Sequence, residues 1–206
     1  MPYSMHGRFA IFGEHDADTL KQLRVCAEVG DAVGAALMAD GHKGYSQPIG
    51  GVLFYDRYIS PSGVGYDIAC GNKAVRTDLT FGDIKAAKGK LADEIFRQVS
   101  FGIGRKNKVR VEHELFDDPT WTDVPYLLTL KQLAQDQLGT VGAGNHYVDL
   151  MAEVTSNWKL GDPIPDTAPI WVAVHFGSRG FGHRTASGFL NLAAGRDFDD
   201  RAPGES

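Results

Sequence analysis

Three glycine-rich segments interrupt the apolar runs of this chain, and they constrain its fold more than any other feature. Each carries side chains that can bind a metal or move a proton: Asp67 and Cys70 in GVGYDIACGNK, His146 in GAGNHY, and His175 in VAVHFGSRG. Glycine permits positive φ angles and a close approach of the backbone to a ligand, and successive N–H groups in such turns attract anions. The pattern predicts functional loops held between strands and helices.

The apolar periodicity between these segments predicts an α+β fold, with β-sheets flanked by helices. A helix is expected over roughly residues 16–28, because Asp16 can cap its start and Gly30 can end it. The segment 102–123 is polar and mixed in charge, which indicates a surface excursion. Strands are expected at 33–39, 50–54 and 73–79 and in the run PIWVAVHFGSRG at 169–180, and further helices at 81–100, 126–137 and 181–194.

The composition, 43% hydrophobic and 23% charged over 206 residues, is typical of a globular protein. No apolar run reaches the roughly 18 residues of a membrane helix, and the N-terminus lacks a signal-peptide pattern, so a cytoplasmic location without a membrane partner is expected. Cys26 and Cys70 lie in different contexts, which favours free thiols. The net charge of −5 means that RNA binding would need a local positive patch, for which Arg179, Lys43 and Lys73 are candidates.

Asp67 and Cys70 are three residues apart and can face one point from a tight turn. Alone, this pair more often represents a buried cysteine beside a capping aspartate than a metal site. His146 and His175 favour a metal site over this structural interpretation, because imidazole is the commonest metal ligand and both histidines follow turn or strand-end positions. With a thiolate bridging two ions, the four side chains would supply most of a dinuclear site that polarises phosphoryl oxygens.

Two further clusters have both a structural and a functional interpretation. Arg179 in GSRG lies between a strand and a helix, where it would hold a phosphate or simply form an ordinary turn. Asp40 and His42 in MADGHKGYSQPIG are expected in a glycine-rich turn, either as an Asx-type turn or as a pair in which Asp40 orients a histidine and His42 contacts a phosphodiester. No segment fits a Walker A loop or a dinucleotide fingerprint.

Read in order, the segments ALMADGHKGYSQPIGGV, SGVGYDIACGNKAVRT, LGTVGAGNHYVDL and VHFGSRGFGH resemble the signature segments of the RtcB family, the tRNA-splicing RNA ligases. The resemblance spans roughly residues 9–190. It implies an RtcB-like fold in which residues 1–206 are the N-terminal part of a single catalytic domain. The implied reaction joins an RNA 3′-phosphate or 2′,3′-cyclic phosphate to a 5′-hydroxyl, in tRNA splicing or RNA repair.

The resemblance also implies two manganese ions and GTP as cofactors, whereas the softness of a thiolate ligand would by itself rank zinc first. RNA ends (tRNA halves or broken RNA) are the implied substrates, with an archease-like activator as a possible partner. The implied metal ligands are Asp67, Cys70, His146 and His175, with Cys70 as the bridge. The other implied site residues are Asn145, Tyr147, Asp149 and Arg179 for cofactor binding, and Asp67, Cys70, Asp40 and His42 for catalysis.

The chain departs from the family pattern in three ways. Asp149 stands where glutamate is usual, and Lys73 stands where an arginine is expected. No counterpart of the family's guanylylated histidine is found before Ser206, so the chain is expected to be truncated at its C-terminus and unable to form the GMP adduct alone. Two other functions remain open: a non-catalytic metal- or nucleotide-binding relative, and a metal-dependent phosphoesterase.

Overall fold

The structure is a computed structural model that describes residues 3–44 and 46–201. It divides the chain into two compact units, Met1–Gly65 and Tyr66–Ser206, and each unit contains its own β-sheet and helices. The predicted α+β class is therefore confirmed. Among the described residues, every helix is too short or too polar to cross a membrane.

The first unit is built on a four-stranded sheet in the order β1-β2-β3-β4. The outer pairs, β1 with β2 and β3 with β4, are antiparallel, while β2 and β3 are parallel because α1 connects them. The elements are β1 (Tyr3–His6), β2 (Phe9–Phe12), α1 (Ala17–Val29), β3 (Gly34–His42), β4 (Ile49–Phe54) and the short α2 (Pro61–Val64).

Helix α1 lies where the sequence predicts it. The Asp16 carboxylate accepts a hydrogen bond from the Thr19 backbone N–H at 2.8 Å and so caps the helix, and Gly30 follows its last turn. Its apolar side chains pack on one face of the sheet. The core of this unit comprises Leu23, Ile11 and Leu37, with Phe9, Leu20, Ala35 and Leu53 packed against it.

Strand β3 continues to His42, so the prediction of a turn around Asp40 and His42 is wrong. The pairing of β3 with β4 shifts register between Leu37 and His42, which marks a bulge. A Cβ at Gly50 would lie 3.1 Å from the Gly41 Cα, so the two backbones come close at this point. The glycines allow irregular strands to stay paired here instead of forming a loop.

The second unit contains a three-stranded antiparallel sheet in the order β5-β7-β6. Helix α3 begins directly after β5, where the Thr80 hydroxyl and the Asp83 carboxylate form a capping box. The elements are β5 (Gly71–Thr80), α3 (Phe81–Gln98), a 3₁₀ turn (Glu114–Asp117), α4 (Thr120–Asp123), α5 (Pro125–Gln137), β6 (Tyr147–Ala152), β7 (Pro169–Phe176) and α6 (Arg179–Ala193).

One part of this unit differs from expectation. The segment 102–123, expected as a surface excursion, contains the 3₁₀ turn and α4, and its Phe116 and Trp121 are buried. The Phe116 and Trp121 rings lie 5.7 Å apart, and the Trp121 ring lies 5.1 Å from that of Phe181 on α6. The segment is polar in composition but contributes aromatic anchors to the core.

Candidate metal centre

A tight turn brings Asp67 and Cys70 to one side of the backbone just before β5. The Cys70 N–H donates to the Asp67 carbonyl at 3.2 Å, which closes the turn. Ala69 between them adopts a left-handed conformation, with φ of 61°. The turn therefore presents the carboxylate and the thiol to the same space, at the start of a strand that fixes their position.

The two histidines come from the neighbouring strands of the same sheet. His146 immediately precedes β6, and His175 is the last residue but one of β7. In the register of the sheet, Tyr147 on β6 and Asn72 on β5 lie directly opposite His175. The antiparallel pairing thus brings the start of β5, the start of β6 and the end of β7 to one edge.

At this edge the four predicted metal ligands meet. The Cys70 Sγ lies 2.7 Å from the His175 Nε2 and 3.6 Å from the His146 Nε2. The His146 Nε2 also lies 2.5 Å from the Asp67 Oδ2. Ligand atoms of Cys70, His146 and His175 all lie within 4.8 Å of one another, a spacing at which they could hold a metal ion. We call these four side chains the candidate metal centre.

The environment of Cys70 disfavours its charged form in the absence of a cation. The residue as a whole is exposed, but its sulfur lies among the side chains of the centre. This burial raises the pKa of the Cys70 thiol from 9.0 to about 11, and the hydrogen bond and negative charge of Asp67 add to the shift. Metal binding would therefore displace a proton from the thiol.

The surroundings of the centre fit a metal ligand set. The His146 side chain is only 6% exposed, and its Nε2 points to Asp67 and Cys70. The His175 Nδ1 lies 2.8 Å from the Asn72 Oδ1, which leaves its Nε2 directed at Cys70. One thiol, one carboxylate and two imidazoles are donors that borderline and soft divalent ions accept.

The residues predicted to bind the cofactor lie around this edge. The Asn145 Nδ2 is 3.3 Å from the His175 Nε2, and the Tyr147 ring stacks on the His175 ring with centroids 5.7 Å apart. Asp149 is exposed and follows Tyr147 by two residues on β6, where it lies opposite Ala173 of β7. It is therefore on the same face of the sheet as Tyr147 and His175. Their roles toward a nucleotide stay predictions.

Arg179 makes internal contacts that sequence reasoning did not foresee. Its Nε donates to the Thr140 Oγ1 at 3.1 Å, and its Nη2 donates to the Gly102 carbonyl at 2.7 Å. Burial lowers the pKa of the guanidinium. Arg179 also adopts a left-handed conformation, with φ of 56°, at the start of α6. Its hydrogen bonds connect the start of α6 to Thr140 and to Gly102. A phosphate would therefore bind Arg179 in addition to these internal partners.

Asp40 and His42 belong to the first unit, where both are exposed on β3. The His42 Nδ1 lies 2.9 Å from the backbone carbonyl of Asp40, so the contact that orients this histidine involves the main chain and not the carboxylate. Lys43 pairs with Asp18 across 3.7 Å. Lys73 lies beside Asn72 on β5 and is directed to the opposite face of the sheet from His175.

Three residues of the site were missed by sequence reasoning. Asn72 contacts His175, and Gly142 and Gly177 leave space for the ligands. A Cβ at Gly142 would overlap the His146 Nδ1, and a Cβ at Gly177 would overlap the Asp67 carboxylate. Both glycines stand in the quoted motifs, so the sequence shows that they are there. The ligand side chains that they lie against depend on the tertiary fold and could not be predicted.

Comparison with known proteins gives a consistent picture. The family model described as tRNA-splicing ligase RtcB matches residues 22–201. A tRNA-splicing ligase RtcB of Thermococcus kodakarensis is 33% identical over 195 residues, covering 76% of this chain and 39% of that protein. An RNA-splicing ligase RtcB homolog 1 of Entamoeba dispar is 30% identical over 212 residues, covering 84% of this chain and 39% of that protein.

A third relative, the tRNA-splicing ligase RtcB of Pyrobaculum aerophilum, is 33% identical over 189 residues and covers 75% of this chain. In each comparison the chain spans 39% of the relative's length. The family match includes all four side chains of the candidate metal centre. The chain therefore belongs to the RtcB family of tRNA-splicing ligases.

Proposed function

We propose that this chain binds divalent metal at the candidate metal centre and acts in joining RNA ends. The reaction would link an RNA 3′-phosphate or 2′,3′-cyclic phosphate to a 5′-hydroxyl, with GTP and manganese as cofactors. The observation that carries the proposal is the convergence of Cys70, His146 and His175 within 4.8 Å, beside Asp67. Because the chain spans 39% of its relatives' length, the ligation activity itself is part of the proposal.

The four side chains would hold the metal in distinct ways. Cys70 lies near both histidines and is suited to bridge two ions, while Asp67 lies beside His146. A divalent ion there would polarise phosphoryl oxygens and stabilise the negative charge that develops on them. Ligand softness favours zinc, and the family resemblance favours manganese, which is the ion that we propose.

The nucleotide and the RNA end would lie close to this edge of the sheet. The Asn145 amide is 3.3 Å from His175, and the Asp149 carboxylate is exposed on the same face. We propose that Asn145, Tyr147 and Asp149 contact GTP and that Arg179 contacts a phosphate. Asp40 and His42 are exposed and would contact RNA from the first unit.

We also propose that both units belong to one catalytic domain. The family match at residues 22–201 crosses the boundary between Gly65 and Tyr66 without interruption. A metal-bearing unit and a unit that carries Asp40 and His42 would then serve the same RNA substrate, either tRNA halves or broken RNA. An archease-like activator is a further proposed partner.

The experiment uses two labelled RNA fragments with the chain and manganese. In one arm the donor carries a 2′,3′-cyclic phosphate and GTP is present; in the other, the donor carries a 3′-phosphate already linked to GMP. In the second arm, attack of the 5′-hydroxyl on the 3′-phosphorus forms the new bond and releases GMP. We expect joining in the second arm, because it needs the metal centre but no guanylylated histidine.

Three results would contradict the proposal. Opening of the cyclic phosphate by the chain and manganese when GTP is left out, without joining in either arm, would identify a metal-dependent phosphoesterase. Metal binding without any change in the RNA would identify a non-catalytic relative. Joining that persists in the presence of a chelator would show that the candidate metal centre takes no part in the reaction.

A further inference from the structure

His175 is held from three sides within the second unit. Its Nδ1 lies 2.8 Å from the Asn72 Oδ1, and its Nε2 lies 3.3 Å from the Asn145 Nδ2. The Tyr147 ring stacks on the imidazole at an interplanar angle of 18°. Because an imidazole can present either nitrogen to a metal, the partner of the other nitrogen decides which one is available.

The hydrogen bonds around His175 agree on one tautomer. The Asn145 amide is a donor, so the Nε2 that it contacts carries a lone pair and the proton resides on Nδ1. An Nδ1–H requires an acceptor, and the Asn72 Oδ1 is placed to accept it. The same oxygen also accepts from the Tyr147 hydroxyl at 2.9 Å, so it takes part in two hydrogen bonds.

The sheet itself sets this arrangement. Asn72, His175 and Tyr147 are direct partners on β5, β7 and β6, so their side chains form one row across one face. Lys73 and Val174, the adjacent pair in the register of these two strands, face the other side. Asn72 can therefore reach His175 because of the strand register, without being a metal ligand itself.

We propose that Asn72 is a positioning residue of the candidate metal centre, which holds His175 as the Nδ1–H tautomer and directs its Nε2 lone pair toward Cys70. A partner on the second nitrogen fixes the ring orientation of a metal-binding histidine and raises its basicity as a ligand. The inference rests on the proposed metal site for its functional meaning. The tautomer of His175 can be measured without any metal.

The test compares Asn72→Leu with Asn72→Asp in the chain labelled with nitrogen-15. Two-bond nitrogen–proton correlation spectra of the metal-free protein, at a pH where the imidazoles are neutral, report the tautomer of His175. We expect wild type and Asn72→Asp, which keeps an oxygen acceptor, to show the Nδ1–H form. Asn72→Leu removes the acceptor and should shift His175 toward a mixture of tautomers.

Metal affinity gives the second measurement, with manganese and cobalt titrated into each variant. Asn72→Leu should bind roughly tenfold more weakly than wild type, while Asn72→Asp should bind at least as tightly as wild type. Val75→Leu is the matched control, because it places the same uncharged side chain on the opposite face of β5, at an exposed position. It should leave both the tautomer and the affinity unchanged, and circular dichroism checks that each variant is folded.

Two outcomes would overturn the inference: an Nε2–H tautomer in wild type, or the same tautomer in Asn72→Leu as in wild type. Weak metal binding by Asn72→Asp, with the acceptor oxygen retained, would also count against it. If wild type binds no metal, the proposed metal site fails, while the tautomer comparison still decides the role of Asn72. The two proposals can thus fail separately.

Discussion

Two glycines leave the space that the ligand side chains occupy. The Asp67 carboxylate lies against Gly177, and the His146 ring lies against Gly142. An added methyl group at Gly177 would meet the Asp67 carboxylate, which can move aside, whereas one at Gly142 would meet the buried His146 ring and the Arg179 guanidinium, which internal hydrogen bonds hold. Substitution at Gly177 is therefore expected to disturb the geometry of the centre more than the stability of the fold.

The first prediction concerns Gly177→Ala. The new Cβ would displace the carboxylate of Asp67, a proposed ligand, so the metal affinity should fall by at least about tenfold, the smallest loss typical of residues that only support a ligand. The free energy of unfolding should change by about 1 kcal/mol or less, because the carboxylate can swing away. Isothermal titration with manganese and thermal unfolding measure the two quantities.

Gly71→Ala provides the matched control for this substitution. It adds the same methyl group next to Cys70, and its Cβ would meet only the Ala69 carbonyl oxygen, at 3.8 Å. Its metal affinity should equal that of wild type. Equal affinity of Gly177→Ala and Gly71→Ala would show that the position of the Asp67 carboxylate does not matter for binding.

The candidate ligands could be predicted from residue type and local context, whereas their supporting residues could not. Asp67, Cys70 and the two histidines each stand in a glycine-rich motif, and the structure brings them together. Asn72 contacts His175 across a strand pair, and this depends on a register that one sequence does not reveal. The internal hydrogen bonds of Arg179 likewise depend on distant segments.

At the scale of the element, capping signals predicted boundaries well and glycine-rich segments predicted them poorly. Helix α1 starts after Asp16, as expected, because its carboxylate accepts the Thr19 N–H. Strand β3 passes through Asp40 and His42, where the residue types favour a turn, because pairing with β4 overrides local preference. Strands β1 and β2 were not predicted, since each is only four residues long.

The second prediction concerns the acid stability of α1. Hydrogen bonds from the Thr19 backbone and side chain hold the pKa of Asp16 below its ordinary value of 3.8. A carboxyl with a depressed pKa contributes stability above its unfolded pKa, and this contribution is lost as the pH falls through the folded pKa. The contribution should therefore be complete at neutral pH and disappear in the acid range below about pH 4.

Asp16→Asn isolates this effect, because asparagine can still cap the helix but does not titrate. Urea unfolding of wild type and Asp16→Asn is measured from neutral to acid pH. The stability difference between the two proteins should narrow as the pH falls. A difference that stays constant over the whole range would show that the Asp16 charge adds nothing to the cap.

At the scale of the whole molecule, the net charge of −5 disfavours binding to RNA, whereas metal ions at the candidate metal centre would favour it. A negatively charged chain repels RNA in general, so binding would have to come from a small region. One divalent ion would only balance the charges of the Asp67 carboxylate and the Cys70 thiolate, whereas two ions bound there would leave a local positive charge.

The division into two units was not predicted from sequence, because no linker of distinctive composition separates them. The boundary follows Gly65, in the same glycine-rich segment that carries Asp67 and Cys70. All four residues of the candidate metal centre lie in the second unit. Metal binding should therefore depend on substitutions in that unit and be insensitive to conservative changes in the first.

The two cysteines offer the most direct measurement of the central claim. Cys70 lies in the centre, and Cys26 lies in the first unit, where its thiol donates to the Ser46 carbonyl at 3.1 Å. Manganese and cobalt binding is measured for wild type, Cys70→Ala and Cys26→Ala by elemental analysis and titration. The cobalt complexes are also examined for sulfur-to-metal charge-transfer absorption.

Wild type and Cys26→Ala should bind metal with the same affinity and show the charge-transfer absorption. Cys70→Ala should lose that absorption and bind at least about tenfold more weakly, which corresponds to about 1.4 kcal/mol. Unchanged metal content and affinity in Cys70→Ala would contradict the account, because the thiolate would then have no part in holding the ion.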